Sequence, residues 1–190
     1  GKARMHALCQ KDVSFVFETG KTNLIIGKSG SGKSVLTKCI VGLFEPDEGE
    51  IFYDERKLSD LKPKARKEIR KEIGMLFQAS ALFDSLTVEE NVAFPLNMFT
   101  KMTKEEISDR VNFCLNRVNI INKNQLFPSE ISGGMQKRVA IARAIAMQPK
   151  YLFCDEPNSG LDPVTAIVID ELIKEITDEY NMTTIVITHD

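Results

Sequence analysis

Residues 27–34 read GKSGSGKS, and the reading of this stretch decides the fold. From Gly27 to Ser34 it fits the pattern G-x-x-x-x-G-K-[ST]. An apolar run at 24–26 precedes it, and Val35-Leu36-Thr37-Lys38-Cys39-Ile40 opens a helix directly after. Glycines let the backbone curl until its N–H groups face phosphate oxygens. Lys33 then reaches the β and γ phosphates, and Ser34 offers a hydroxyl to Mg²⁺. Gly27, Ser29, Gly30, Ser31, Gly32, Lys33, Ser34 and Val35 form a candidate cradle for a nucleoside triphosphate. The plainer alternative is a Gly/Ser-rich turn before an ordinary helix, which requires neither the Lys-Ser pair nor the preceding strand.

That apolar run is one of four, the others lying at 73–77, 151–154 and 184–188. Continuous apolarity over such lengths predicts central strands of a parallel sheet, covered on both faces. Helical patterns alternate with them, which gives an α/β class. The runs stop at Gly27, Gln78, Asp155 and His189. Ligands of open α/β sheets sit outside the carboxyl ends of the strands, so these four ends are expected to converge. A further half-exposed strand is predicted over DVSFVFETG, 12–20, where Val13, Phe15 and Phe17 alternate.

Helix signals fill the intervals. Pro63 stands at a first-turn position before a helix whose buried ridge is Ala65 and Ile69. Thr87 with Glu90, and Thr103 with Glu106, have the spacing of capping boxes. Ile107, Val111, Cys114, Leu115 and Val118 make a helical stripe after the second box. Asp162-Pro163 caps another helix, with Val164, Val168, Leu172 and Ile176 expected to face inward. Residues 79–147 contain no good strand and read as a helical insertion in an α/β core formed by 1–78 and 148–190.

Bulk properties narrow the class. A chain of 190 residues suits one core with an insertion. A net charge of −2 gives no sign of wholesale nucleic-acid binding. No apolar run is long enough to span a bilayer, and no signal-peptide pattern opens the chain. Cys9, Cys39, Cys114 and Cys154 have no paired spacing and read as reduced, buried thiols, which fits the cytoplasm. The chain starts at Gly1 and stops at Asp190 just after a buried-looking strand, so truncation at both ends is expected.

Two further motifs carry chemistry. YLFCDE, 151–156, puts Asp155 at a strand end where it can hold Mg²⁺ through water. Glu156 follows at once, and a second carboxylate there can polarise an attacking water. ISGGMQKR, 131–138, starts a helix with a hydroxyl, two glycines and free N–H groups, a second anion site remote in sequence from the first.

Taken in order, the phosphate loop, Gln78, ISGGM, YLFCDE, Ser159-Gly160-Leu161-Asp162 and His189 resemble the ATPase of an ABC transporter over essentially the whole chain. That resemblance implies a P-loop NTPase (RecA-like) core, a parallel sheet flanked by helices with an inserted α-helical subdomain. It implies ATP and Mg²⁺ as cofactors, and a head-to-tail homodimer in which the second anion site serves the partner's nucleotide. Gln78 would sense Mg²⁺ and couple to the membrane partner, and Ser132, Gly133 and Gly134 would contact the partner-bound γ-phosphate. Glu156 would be the catalytic base, His189 the switch that orients the γ-phosphate, and Asp162 an acid at the dimer seam. Ile131 and Met135 depart from the Leu and Gln common at those positions, while Ser132, Gly133 and Gly134 are intact. The aromatic that stacks on adenine in the family is expected upstream of Gly1. A location peripheral on the inner face of the cell membrane, integral permease partners and no nucleic-acid partner follow from the same resemblance.

GMLFQASALFDSLTVEENVAFPL, 74–96, most resembles ATPases of Mla/Mce-type transporters of phospholipid or related lipid. Lipoprotein-release, amino-acid and metal importers are near alternatives. Leu82, Phe83 and Leu86 suit either a groove for a membrane-subunit helix or packing within the insertion. The basic run KPKARKEIRKE reads as a solvated face paired by Glu68 and Glu72. No sustained heptads separate Ser34 from Ser132, which argues against the coiled-coil ATPases that act on DNA. A single cassette argues against translation-type members, and Glu156 with His189 argues against a module that never hydrolyses.

Overall fold

The structure is a computed structural model that describes residues 13–189. In chain order the elements are β1 (Thr22–Ile26), α1 (Lys33–Ile40), β2 (Phe52–Tyr53), β3 (Arg56–Lys57), α2 (Pro63–Lys71), β4 (Ile73–Leu76) and α3 (Val88–Phe99). There follow α4 (Lys104–Arg117), α5 (Gly133–Ile145), β5 (Tyr151–Asp155), α6 (Pro163–Tyr180) and β6 (Thr183–Thr188). Four strands form one parallel sheet in the order β1-β6-β5-β4, and β2 with β3 make a separate antiparallel hairpin. No strand occurs from 79 to 147, where α3, α4 and α5 lie.

Strand alternation sorts the core into two layers. Leu76, Leu152, Cys154 and Val186 point to the side that carries α3–α6. Met75, Phe153, Ile185 and Ile187 point to the side that carries α1, α2 and the hairpin residue Tyr53. The helices between β4 and β5 do not keep a core of their own. Val92, Leu115, Val139 and Ile141 belong to the same apolar cluster as Leu152 and Ile173. The capping boxes form as the spacing predicts: Glu90 N donates to Thr87 Oγ1 at 3.3 Å and Glu106 N to Thr103 Oγ1 at 3.2 Å.

Four expectations are corrected. Residues 13–17 are not a strand; Val16 is 94% exposed, and among the described residues they pair with no neighbouring strand. Asp12 of that stretch lies outside the described residues, as does Cys9. β1 is not covered on both faces: among the described residues it is an edge of the sheet, and Leu24 and Ile26 are exposed. On α6, Val164 and Val168 face solvent, while Ile169, Leu172, Ile173 and Ile176 are buried. A strict four-residue repeat drifts by about 40° per step, so residues 164 to 176 cannot all share one face; the buried stripe mixes steps of three and four. Glu72 does not pair with its own helix. It accepts two bonds from Arg56, at 2.9 and 2.8 Å, and lies 3.4 Å from Lys150. Glu68 does pair with Lys71 in the helix, at 2.9 Å.

The cysteines fit the sequence reading in part. Cys114 and Cys154 are buried free thiols, and burial pushes Cys114 up to about 11 and Cys154 up to about 12. Cys39 is only half-buried.

Gly74 fixes how closely α5 rides on β4. A Cβ there would stand 2.5 Å from the Ala144 carbonyl oxygen and 3.1 Å from Pro149 Cγ. Backbone cannot yield as a side-chain tip does, so Gly74→Ala is expected to destabilise by about 1–3 kcal/mol or more. Denaturant midpoints of the two proteins check this; an unchanged midpoint contradicts the packing.

Candidate functional site

The loop after β1 is shaped as its sequence predicts. Gly30 and Gly32 have φ of 78° and 91°, backbone that side chains rarely adopt. Gly32 is the N-cap of α1 and supplies no side-chain cap. Lys33, Ser34 and Val35 follow, and their backbone N–H groups make no backbone hydrogen bond. Those free donors at a helix start are what a phosphate requires. Lys33 is almost buried and turns its ammonium onto the loop's own carbonyls, at Gly27 and, 3.2 Å away, Lys28. A polyphosphate inside the loop offers that ammonium stronger, charged acceptors.

Asp155 ends β5 beside this loop, near enough to the Ser34 hydroxyl for that group to favour its charged form. Burial raises its carboxyl above the usual range, with the Glu156 charge adding to the rise and Lys33 opposing it. A hydroxyl and a carboxylate are hard oxygen donors, the set that suits Mg²⁺ alongside phosphate. No group of three His, Cys, Asp or Glu among the described residues is arranged to hold a metal unaided.

Glu156 has φ of 47°, in the left-handed region, which costs about 1–3 kcal/mol for a residue with a side chain. Its N–H donates to the Ile187 carbonyl at 2.9 Å, and its carbonyl accepts from Ser159 N at 3.1 Å. Both bonds hold the turn. The carboxylate is thereby aimed at His189, whose Nδ1 lies 2.6 Å from Glu156 Oε2. Gln78, beyond β4, donates from Nε2 to the Ser159 hydroxyl at 3.1 Å. The four strand ends thus converge.

Ser132, Gly133 and Gly134 start α5 as the sequence predicts. The Ser132 hydroxyl caps Met135 N at 3.3 Å, and the N–H groups of Gly133 and Gly134 have no backbone acceptor. No backbone hydrogen bond joins the amides of Gly133 and Gly134 to 27–35. Asp162 caps α6 through Oδ1, which accepts from Val164 N at 3.1 Å and Thr165 N at 3.0 Å. The Thr165 hydroxyl donates to Oδ2 and, as the largest cause, holds the Asp162 carboxyl below the usual range.

Two loop-holding cations are missed by sequence reasoning. Lys137 is buried on α5 and donates to the carbonyls of Phe77, at 3.4 Å, and Gln78. Arg143, also on α5, donates to Ser80 O and Ala81 O at 2.8 Å each. Burial lowers both cations below their ordinary pKa. Ser80 and Ala81 have φ of 62° and 47°, so α5 holds the loop after Gln78 in a strained form. The only sequence signal of Lys137 and Arg143 is that they interrupt the otherwise apolar run of α5. The same loop continues to Leu82, which packs on the core, and to Phe83, 42% exposed and 4.6 Å from the Phe94 ring. Buried Asn91 accepts from Phe83 N and donates to the Phe83, Leu86 and Thr87 carbonyls.

The sequence pattern of the ABC transporter family matches residues 10–159. The chain belongs to the ABC transporter family. Among relatives, it is 40% identical over 179 residues to the probable ribonucleotide transport ATP-binding protein mkl of Mycobacterium bovis, covering 94% of this chain and 50% of that protein. It is 42% identical over 190 residues to the methionine import ATP-binding protein MetN 2 of Bacillus cereus, covering 100% of this chain and 55% of that protein. The chain therefore spans about half the length of the curated relatives it matches. Its fold superposes with a TM-score of 0.84 and 37% identity on the ATP-binding cassette MJ0796, solved as a dimer in a post-hydrolysis state bound to ADP and Pi. That match covers 94% of this chain and 79% of the other. With cbiO1 of Clostridium perfringens, part of the transporter complex cbiONQ, the TM-score is 0.85 at 34% identity, covering 94% and 70%. The parallel sheet flanked by helices is thus the fold of an ABC cassette.

The Arg143 bonds make a prediction about the loop after Gln78. Arg143→Met removes two charge-assisted bonds, so amides of residues 78–83 are expected to exchange with solvent about tenfold faster or more. Hydrogen-exchange mass spectrometry reads this directly, and unchanged exchange there rejects the clamp.

Proposed function

We propose that this chain is the ATP-binding and ATP-hydrolysing part of an ABC transporter, powering separate membrane permease subunits. The observation that carries the proposal is the convergence at the strand ends: the phosphate loop, Asp155 beside Ser34, and Glu156 held 2.6 Å from His189. The free amides of 33–35 and the Lys33 ammonium bind the phosphates of ATP. Ser34 and Asp155, with Gln78 nearby through Ser159, would hold Mg²⁺, which when bound neutralises phosphate charge. Glu156 takes a proton from the attacking water, and His189 keeps that carboxylate oriented toward the phosphate side.

The exposed amides of Gly133 and Gly134 make no bond to their own chain's cradle, so they serve the ATP of a second copy packed head to tail. The dimeric cassette to which the fold is similar supports that arrangement. Asp162 then lies at the seam. The segment 79–147 works as a helical subdomain that carries this second anion site and the loop after Gln78, against a core of 1–78 and 148–190. No helix among the described residues is long and apolar enough to cross a membrane. On the family likeness, attachment is peripheral, through permease subunits at the cytoplasmic face.

For the cargo we propose a phospholipid or related lipid, on the resemblance of 74–96 to Mla/Mce-type ATPases. Import of a small solute such as methionine is the second reading, favoured by the 42% identity to the Bacillus cereus protein across the whole chain. Both share one chemistry.

Glu156→Gln is expected to keep ATP binding and slow turnover by about 10²–10⁴-fold. Phosphate release and nucleotide binding, measured on the same preparation, check this; undiminished hydrolysis removes Glu156 from the role of base. The ATP-trapped variant also captures its permease from membranes. A lipid-transport permease supports the cargo, and an amino-acid permease replaces it with the second reading.

A further inference from the structure

Thr165 occupies a place that no motif explains. Its hydroxyl donates to Asp162 Oδ2 at 2.5 Å. Its methyl faces the other way, toward the start of α5: a Cβ built on Gly134 would stand only 2.7 Å from Thr165 Cγ2. One side chain therefore touches the seam acid with one branch and the second anion site with the other.

Threonine alone offers both branches on one Cβ. The bond to Asp162 fixes χ1, and a fixed χ1 fixes the methyl, because both groups hang from the same carbon. That methyl sets how near the first turn of α5 comes to the first turn of α6. Gly133 and Gly134 are the first two residues of α5, and the direction of their unpaired amides follows from where that turn rests. The loop is tied at its other end too, where Ser159 accepts from Gln78. Residues 159–165 thus link the strand-end site to the second anion site within one chain.

We propose that Thr165 is a positioning residue that holds the Gly133–Gly134 amides at a fixed spacing from the Asp162 loop, and that closure of two copies on ATP requires both its hydroxyl and its methyl. This rests on the reading that those amides take the phosphate of the partner's ATP. The two single-branch variants separate the contributions. Thr165→Ser keeps the donor and loses the methyl, and Thr165→Val keeps a methyl and loses the donor.

The first test is a melting-temperature cycle that needs no activity. Gly134→Ala drives a Cβ into the Thr165 methyl and is expected to lower the melting temperature by several degrees. Adding Thr165→Ser removes the obstructing carbon and recovers most of that loss. Strictly additive effects mean that the contact does not exist and overturn the proposal. The second test measures ATP-dependent dimerisation in the Glu156→Gln background by light scattering, beside fluorescent-ATP binding to the monomer. Each Thr165 variant is expected to weaken dimerisation about tenfold while monomer binding stays within about twofold. Dimerisation equal to the parent in either variant overturns the requirement for both branches. A Glu156→Gln parent that binds ATP without dimerising overturns the dimer reading and the closure role of Thr165 with it. The melting cycle still reads the contact in that case, so the two failures are distinguishable.

Discussion

The site depends on β6 lying in parallel register between β1 and β5. Ile187 pairs with Ile25 on one side and with Asp155 on the other. Parallel ladders bring like ends together, so the loops that follow these strands leave the sheet at one edge. The hydrogen bonding continues one step past the strands. Gly27 N donates to Thr188 O at 3.4 Å, and Glu156 N donates to Ile187 O at 2.9 Å. Those two bonds fix the root of the phosphate loop and the backbone of the carboxylate against the strand that carries His189. A slip of one residue in β6 would turn its side chains to the opposite face and carry His189 away from Glu156.

α5 is the second organising element. Its apolar residues Val139, Ala140, Ile141 and Ala142 are buried, and Gly74 lets its C-terminal end lie directly on β4. It also carries Lys137 and Arg143 into surroundings where a charge has lost its water. Backbone carbonyls of 77–81 replace that hydration, and the helix thereby dictates the shape of a neighbouring loop. Strain at Ser80, Ala81 and Glu156 is concentrated where the loops meet the site, and the rigid sheet and α5 sustain it. A helix that begins with Gly133-Gly134 and ends on β4 joins this glycine pair to the core.

Much of this is legible from residue types because local chemistry forces it. GKSGSGKS admits few backbones, and Gly30 and Gly32 adopt the positive φ that only glycine takes freely. Thr87-Glu90 and Thr103-Glu106 cap their helices because the bonds span three residues. Errors arose where burial depends on what lies opposite. Leu24 and Ile26 read as covered, yet among the described residues β1 is an edge strand and both stay exposed. Val164 and Val168 read as core, yet the first turns of α6 extend past it. Glu72 read as a helix-surface partner, yet Arg56 of the hairpin captures it.

Residue types and their spacing are enough for the α/β class, the phosphate loop, the acids Asp155 and Glu156, the helix start at Ser132 and the family likeness. Each of these is a contact among residues close in the chain, or a backbone shape that only certain residues permit. Tertiary structure alone decided that His189 meets Glu156, that Gln78 meets Ser159, that Lys137 and Arg143 grip the 77–81 backbone, and that Thr165 rests against Gly134. These partners stand tens of positions apart, and no periodicity encodes which will touch. The order of strands in the sheet and the angle of α5 across it bring them together.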